Sequence, residues 1–197
     1  EYINVDTTGD AVDFGNSTVT ARQRTSCASR TRSLAAMGYG SSYQTHIDYV
    51  TIASTGDAKD FGNLDQNIGG GPGGGASPTR GVFSGGYNPS PALASLDVLQ
   101  YITIASTGNA QDFGDAPDLN NGHAGSGDST TRGVFMGGRN QPSPNNISTI
   151  NYITIATTGN AIDFGDLTAA KRFVGGTSDK IRALCCGGYT SSNQDVI

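Results

Sequence analysis

Residues 101–114 read YITIASTGNAQDFG, and nearly the same phrase stands three more times in the chain: YINVDTTGDAVDFG at 2–15, YVTIASTGDAKDFG at 49–62 and YITIATTGNAIDFG at 152–165. The leading tyrosines, Tyr2, Tyr49, Tyr101 and Tyr152, lie 47, 52 and 51 residues apart. A period near fifty residues marks a row of structural units, each unable to bury its apolar face alone. Within the phrase, 101–105 alternates β-branched residues, Ser106-Thr107-Gly108-Asn109 carries turn chemistry, and 110–113 opens a second strand. The phrase therefore reads as a β-hairpin. Its Gly supplies positive φ, and the Asn or Asp that follows is expected to tolerate a left-handed conformation.

Outward from each hairpin a second motif repeats: TRSLAAMGY at 31–39, TRGVFSGGY at 79–87, TRGVFMGGR at 131–139 and IRALCCGGY at 181–189. The short apolar run after each Arg predicts a buried central strand. The Gly pair that closes it in three copies predicts that its end lies against a neighbouring backbone. From the hairpin's last Gly to the next Arg the interval is 17, 18, 18 and 17 residues (Gly15 to Arg32, Gly62 to Arg80, Gly114 to Arg132, Gly165 to Arg182). That regularity argues against reading GGGPGGG at 69–75 as a flexible linker. It predicts instead one further strand per unit, rich in Gly, Ala and Ser because it packs around a narrow axis.

Four short strands in about fifty residues is the blade of a β-propeller. The chain resembles kelch repeats at the Arg, the Gly pair and the Tyr of the third strand, with Phe near the place where those repeats carry Trp. The expected fold is all-β: a single propeller domain over 1–197, with four-stranded kelch-like blades at about 16–62, 63–114, 115–165 and 166–197 plus 1–15. The last three residues, Asp195-Val196-Ile197, match the run into Tyr49. Joining Ile197 to Glu1 would set the next Tyr 47 positions beyond Tyr152, equal to the first spacing. The N-terminal hairpin is thus expected to complete the last blade and remove an exposed sheet edge. A segment cut from a longer array has the same phasing, and the sequence leaves both open.

Of the 197 residues 35% are hydrophobic, none is Trp and 29 are Gly, which disfavours a helical core and favours thin, turn-rich β structure. The net charge of -5, with no run of Lys or Arg, argues against a nucleic-acid partner. No stretch approaches the roughly 20 apolar residues of a membrane-spanning helix, so no membrane insertion is expected. The three cysteines are Cys27, Cys185 and Cys186. The adjacent pair would point to opposite faces of a strand, and all three are expected to fill small core positions.

Candidates for catalysis are few, and the chain is expected not to be an enzyme, with no catalytic or metal residue assigned. His46 and His123 occupy non-equivalent places and read as solvated loop residues. Acidic pairs recur at Asp10 and Asp13, Asp57 and Asp60, Asp112 and Asp115, and Asp163 and Asp166. They read as side chains bonding the local backbone in turns, with calcium as the alternative and no other cofactor. The repeated Arg32, Arg80, Arg132 and Arg182 are expected to lie between blades, pairing with Asp13, Asp60, Asp112 and Asp163.

The segments after the Gly pair vary in length and carry Pro, Asn, Ser and Tyr, and recognition commonly sits on loops held by a rigid scaffold. An aromatic face with amide side chains suits a glycan, which makes Tyr43, Tyr87, Asn88, Arg139, Asn140 and Tyr189 the binding candidates. Taken together, YITIATTGNAIDFGDLT (152–168) and STTRGVFMGG (129–138) resemble the repeats of kelch-like structural and tail-fibre proteins of marine tailed phages, the cyanophages especially. The resemblance spans nearly the whole chain. Unit one departs from it at Asn4-Val5-Asp6 and at Met37-Gly38. It implies a non-enzymatic virion structural and recognition module, located on the virion or outside the cell. The implied partners are neighbouring virion proteins, a host-surface glycan and copies of the chain itself. The rival readings are a secreted, multivalent carbohydrate-binding lectin and a subunit of an extracellular filament.

Overall fold

The computed structural model describes residues 1–69, 73–88, 94–126, 131–141 and 145–197, and among these every element is a β-strand. The first whole unit is an antiparallel sheet in the order β1 (Thr25–Ala28), β2 (Arg32–Ala36), β3 (Gln44–Thr51), β4 (Lys59–Ile68). The second contains β5 (Gly73–Ala76), β6 (Arg80–Ser84), β7 (Tyr87–Asn88), β8 (Ala94–Thr103) and β9 (Gln111–Asn120), where β5-β6-β8-β9 repeats the same order and β7 adds to β8. In the third, β10 (Ala124–Ser126), β11 (Arg132–Met136), β14 (Thr149–Thr154) and β15 (Ile162–Asp166) form the sheet, and β12 (Arg139–Asn140) pairs with β13 (Asn145–Asn146) beside it. The fourth holds only the hairpin of β16 (Gly175–Ser178) and β17 (Ala183–Cys186).

The first strands stand next to one another along the row, β1 beside β5, β5 beside β10 and β10 beside β16. Small residues are required there. A Cβ on Gly74 would come within 3.0 Å of the Ser26 carbonyl, and one on Gly125 would come as near to the Gly74 backbone. The glycine run at 69–75 is therefore, in its described part, a packed strand; residues 70–72 lie outside the described set.

The Asp-Phe-Gly phrase builds a β-bulge in every whole unit. Ile47 pairs with Gly62 and Asp48 with Asp60, so Phe61 has no partner and is turned out of the ladder. The same break falls at Leu99/Gln100 and at Ile150/Asn151. The Asp Oδ1 accepts the Gly N–H two residues on, at 3.1 Å for Asp60 and Gly62, and the Gly takes φ +145°, where a side chain is strained. The reading of these acids as local backbone partners holds at Asp13, Asp60, Asp112 and Asp163 alike.

The bulged Phe is aimed at the next unit. Phe61 joins Leu34 and Ile47 against Phe83, Ile102 and Ile104 of the second unit, and Phe113 joins Val82 and Leu99 against Phe135, Ile153 and Ile155 of the third. The apolar core is thus divided into layers between sheets, and each layer needs both neighbours.

The Gly pair after the second strand takes φ of 60° and 108° at Gly85 and Gly86. Met37-Gly38 in the first unit takes 64° and 115°, so the exceptional Met accepts the same backbone and is itself buried. The departure in sequence leaves the geometry of that unit intact.

One expectation is not met. Among the described residues β17 pairs with β16 alone, and residues 2–14 do not lie in register beside 183–189. Tyr2 and Val12 exchange main-chain bonds with each other at 2.8 and 2.9 Å, and Phe14 accepts the Gly56 N–H at 2.7 Å. The hairpin's bonds run to the unit that follows it in the chain, so it sits at one end of the row while β17 sits at the other.

Candidate binding surface

From the N-terminal hairpin to the third unit, each unit is fastened to the next by the phrase that opened the sequence. Gly108 N–H donates to Phe61 O at 2.7 Å, Ala110 N–H to Asn63 O at 2.9 Å, and the Asn109 side chain accepts the Asn63 N–H at 3.0 Å. The same three bonds join Phe113 and Asp115 to Gly159, Asn160 and Ala161, and join Phe14 and Asn16 to Gly56, Asp57 and Ala58. The Asn or Asp after the turn Gly is there for its side-chain acceptor. Positive φ among non-glycine residues occurs only at Gln23, Met37 and Phe173 of those described, which corrects the left-handed role expected for it.

The repeated Arg also works between units, with a different partner from the one expected. Arg32 Nη1 donates to Ile104 O at 2.8 Å and Arg80 Nη1 to Ile155 O at 2.9 Å. Each guanidinium also lies over the Tyr of its own third strand, 4.5 Å from the Tyr49 centroid and 4.3 Å from that of Tyr101, as Arg132 lies 4.5 Å over Tyr152. Arg32 and Arg80 therefore do not pair with the bulge aspartates, whose oxygens are turned to their own backbone. Arg182 is exposed at the open end.

The binding candidates fall along one line. The residue after each Gly pair, Tyr39, Tyr87, Arg139 and Tyr189, forms an isolated bridge with Arg22, Gly69, Asn121 and Arg172 respectively. Tyr43 adds to the first of these. Its ring stands 4.9 Å from Tyr39 and 5.8 Å from Tyr87, packed so closely on Gly69 that a Cβ there would clash with it. Arg22 lies 5.3 Å over Tyr39, and Arg172 lies 4.8 Å over Tyr189 and donates to Asn146 Oδ1 at 3.0 Å. Asn88 and Asn140 sit beside this line in β7 and β12. The connecting residues 89–93 and 142–144, part of the same predicted loops, lie outside the described set.

The centre of this Tyr/Arg file is cationic. Burial lowers the Arg139 pKa, and the like charge of Arg172 lowers it further, while Tyr87 opposes the shift. The Nε atoms of Arg139 and Arg172 are both buried without a hydrogen-bond partner. These Nε atoms are closed to a ligand, but two partly exposed guanidiniums near each other attract a carboxylate, sulfate or phosphate by their charge. Burial also raises the Tyr43 hydroxyl pKa, as do Tyr87 and Tyr39, so that ring stays neutral and amphipathic.

The histidines are not solvated loop residues. His46 Nε2 shares a 2.6 Å hydrogen bond with Thr18 Oγ1. His123 is buried between units: Gly73 N–H donates to its Nε2 at 3.1 Å and its ring meets Phe135 edge-on at 5.9 Å. Burial drives its pKa down to about 4. The unfolded chain takes up a proton near pH 6.5 and the folded chain does not until about pH 4. Stability is therefore full above the first value and falls between the two, by about 3 kcal/mol in all. Urea denaturation at pH 7 and pH 4.5 should show this loss, and His123→Phe should flatten it. The cysteines are all free, and burial pushes the Cys27 thiol up to about 12, in line with the core-filling role, whereas Cys185 and Cys186 are only half-buried in the terminal ribbon and do not fill a core position.

One buried pair carried no motif in the sequence. Asp48, in β3 just before Tyr49, accepts from Arg24 Nη2 at 2.8 Å and Nη1 at 3.1 Å, from Ser17 Oγ at 2.6 Å and from Thr18 Oγ1 at 2.9 Å. The corresponding Gln100 accepts the Asp65 N–H at 2.8 Å. A buried polar residue before the Tyr thus holds the segment that follows Asp-Phe-Gly in the preceding unit, and its recurrence at Asp48, Gln100 and Asn151 was the available signal.

Among the described residues no helix is long and apolar enough to cross a membrane, and no group of three His, Cys, Asp or Glu side chains is placed to hold a metal ion. Comparison with protein-family models gives no match, and comparison with curated protein sequences gives none either.

Proposed function

We propose that the chain is a non-enzymatic structural and recognition module, built of kelch-like propeller blades and carried on a virion appendage such as a tail fibre. Its Tyr/Arg file binds an acidic glycan of the host surface. The observation that carries this reading is the Arg139 and Arg172 pair, two partly buried like charges with tyrosines on both sides. A uronate or sialate carboxyl meets the cations while the sugar ring lies on Tyr87 or Tyr189. The phage origin rests on the wording of the repeats.

The file also separates this reading from a multivalent lectin. Four equal sites require equal residues in each unit, whereas the bridge pairs are Arg22–Tyr39, Gly69–Tyr87, Asn121–Arg139 and Arg172–Tyr189. One composite site fits that inequality. Titration calorimetry with acidic and neutral oligosaccharides is the test. Binding should be confined to the acidic ones, at one site per chain, and Arg139→Ala should weaken it about tenfold or more through loss of a charge-assisted hydrogen bond. Equal binding of neutral sugars, or no effect of Arg139→Ala, overturns the reading.

A further inference from the structure

We propose that the two ends of this chain are complementary, and that the N-terminal hairpin of one copy adds to the β17 edge of a second copy, head to tail, to build one complete unit from two chains. The proposal rests on the geometry between units and not on the glycan reading.

The interior interfaces define what an end must receive. Ahead of each Phe layer, the following unit supplies an aliphatic residue one and three places after its Tyr, Ile102 and Ile104 in one case and Ile153 and Ile155 in the other, with an Ala nine places after it, Ala110 or Ala161. The third unit offers the same layer, Val134, Ile150 and Phe164, and the β16–β17 hairpin flanks it without closing it. Phe164 is 57% exposed where Phe61 and Phe113 are 2% exposed, and a groove of about 690 Å³ opens beside it. The residues missing from that groove stand at the other end of the chain. One, three and nine places after Tyr2 come Ile3, Val5 and Ala11, with Ile3 62% and Val5 87% exposed.

The fastening phrase repeats this complementarity. A Cβ on Gly15, Gly62 or Gly114 would meet the turn Gly of the next unit within 3.0 Å, whereas Gly165 faces open space. Gly9 is the turn Gly of the N-terminal hairpin, matching Gly56, Gly108 and Gly159 in the repeated phrase. Gly9 N–H and the Asp10 side chain are therefore the donor and acceptor that Phe164 O and the Asp166 N–H would meet, as Gly159 and Asn160 meet Phe113 and Asp115.

The strand edges agree as well. Leu34, Ser33 and Arg32 pair with Tyr49, Val50 and Thr51. In that register Leu184 faces Tyr2, Ala183 faces Ile3 and Arg182 faces Asn4 of the second copy, which covers the free edge of β17. Leu184, 46% exposed, then enters the groove of about 450 Å³ between the second copy's hairpin and its first whole sheet, lined by Val50, Ile52 and Ala58. Such a contact is heterologous, joining different surfaces on each copy, and propagates through further copies into a closed ring or a filament.

Sedimentation velocity on the 197-residue chain over a range of concentrations tests it. The wild type is expected to form species larger than a dimer. Phe164→Asp and Val5→Asp, each at a side chain exposed in the single chain, should keep the circular dichroism and melting of the monomer while weakening association at least tenfold. Each variant keeps one good end, so an equimolar mixture of the two should form a heterodimer and nothing larger. A wild type that stays monomeric at all concentrations overturns the proposal, whether its ends stay apart or close on each other. Association that survives in either variant alone overturns it too.

Discussion

Asp48→Ala is expected to lower stability by about 3–5 kcal/mol, the cost of leaving one member of a buried ion pair without its partner. The Asp48 side chain is 2% exposed and that of Arg24 13%, and the pair is two-pronged. Arg24 also donates to Met37 O and Ala35 O, so it stays in place when the carboxylate is removed and its charge is then uncompensated. Burial alone would raise the Asp48 pKa, but hydrogen bonds from Arg24, Ser17 and Thr18 prevail and hold the carboxyl below its ordinary value. A carboxyl shifted in this direction contributes stability above its unfolded pKa and loses it as pH falls through the lower folded one. That window lies on the acid side of the one set by His123, so the two separate in a pH series. Urea denaturation of Asp48→Ala and Asp48→Asn at pH 7 measures the effect. A loss under about 1 kcal/mol for Asp48→Ala would show that the pair contributes little beyond an exposed one.

The second large effect lies in a comparison. Gly114 and Gly165 have nearly the same φ, +138° and +136°, so Ala costs both the same backbone strain, on the order of 1–3 kcal/mol. Only Gly114 is covered: a Cβ there would sit within 3.0 Å of the Gly159 carbonyl and of Asn160 N. Main chain cannot yield as a flexible side chain does, so Gly114→Ala must push the second and third units apart. It is expected to cost about 2 kcal/mol more than Gly165→Ala in dilute solution, in line with the usual cost of overpacking. Equal losses in the two variants would mean that the approach of the units sets no such limit.

Much of this fold was readable because it is written several times over. The hairpin, the strand after each Arg and the inner strand inside the glycine run all appear where register and residue type put them. Positions whose partner lies in the next unit were harder. Asn109 reads locally as a turn residue and acts as an acceptor for Asn63, some 46 residues away. Arg32 suggested a carboxylate and found the Ile104 carbonyl, because the bulge had already turned the Asp60 oxygen to its own backbone. His123 sits within a polar stretch, yet the close approach of β5 and β10 buries it. Of the candidate surface, the sequence named Tyr43, Tyr87, Arg139 and Tyr189. Arg22 and Arg172, which bridge to the first and last members of the file, carry no motif of their own.

The layering of the core has a consequence for how the molecule comes apart. Among the described residues the main contacts between sheets join adjacent ones, so the free energy is approximately a sum of terms for each unit and each junction, and a unit with one neighbour is worth less than a unit with two. The second sheet, gripped on both sides, is the last to open. The hairpin at Tyr2–Val12 and the β16–β17 ribbon each hang on a single junction, and unfolding proceeds inward from them like a zipper drawn from both ends.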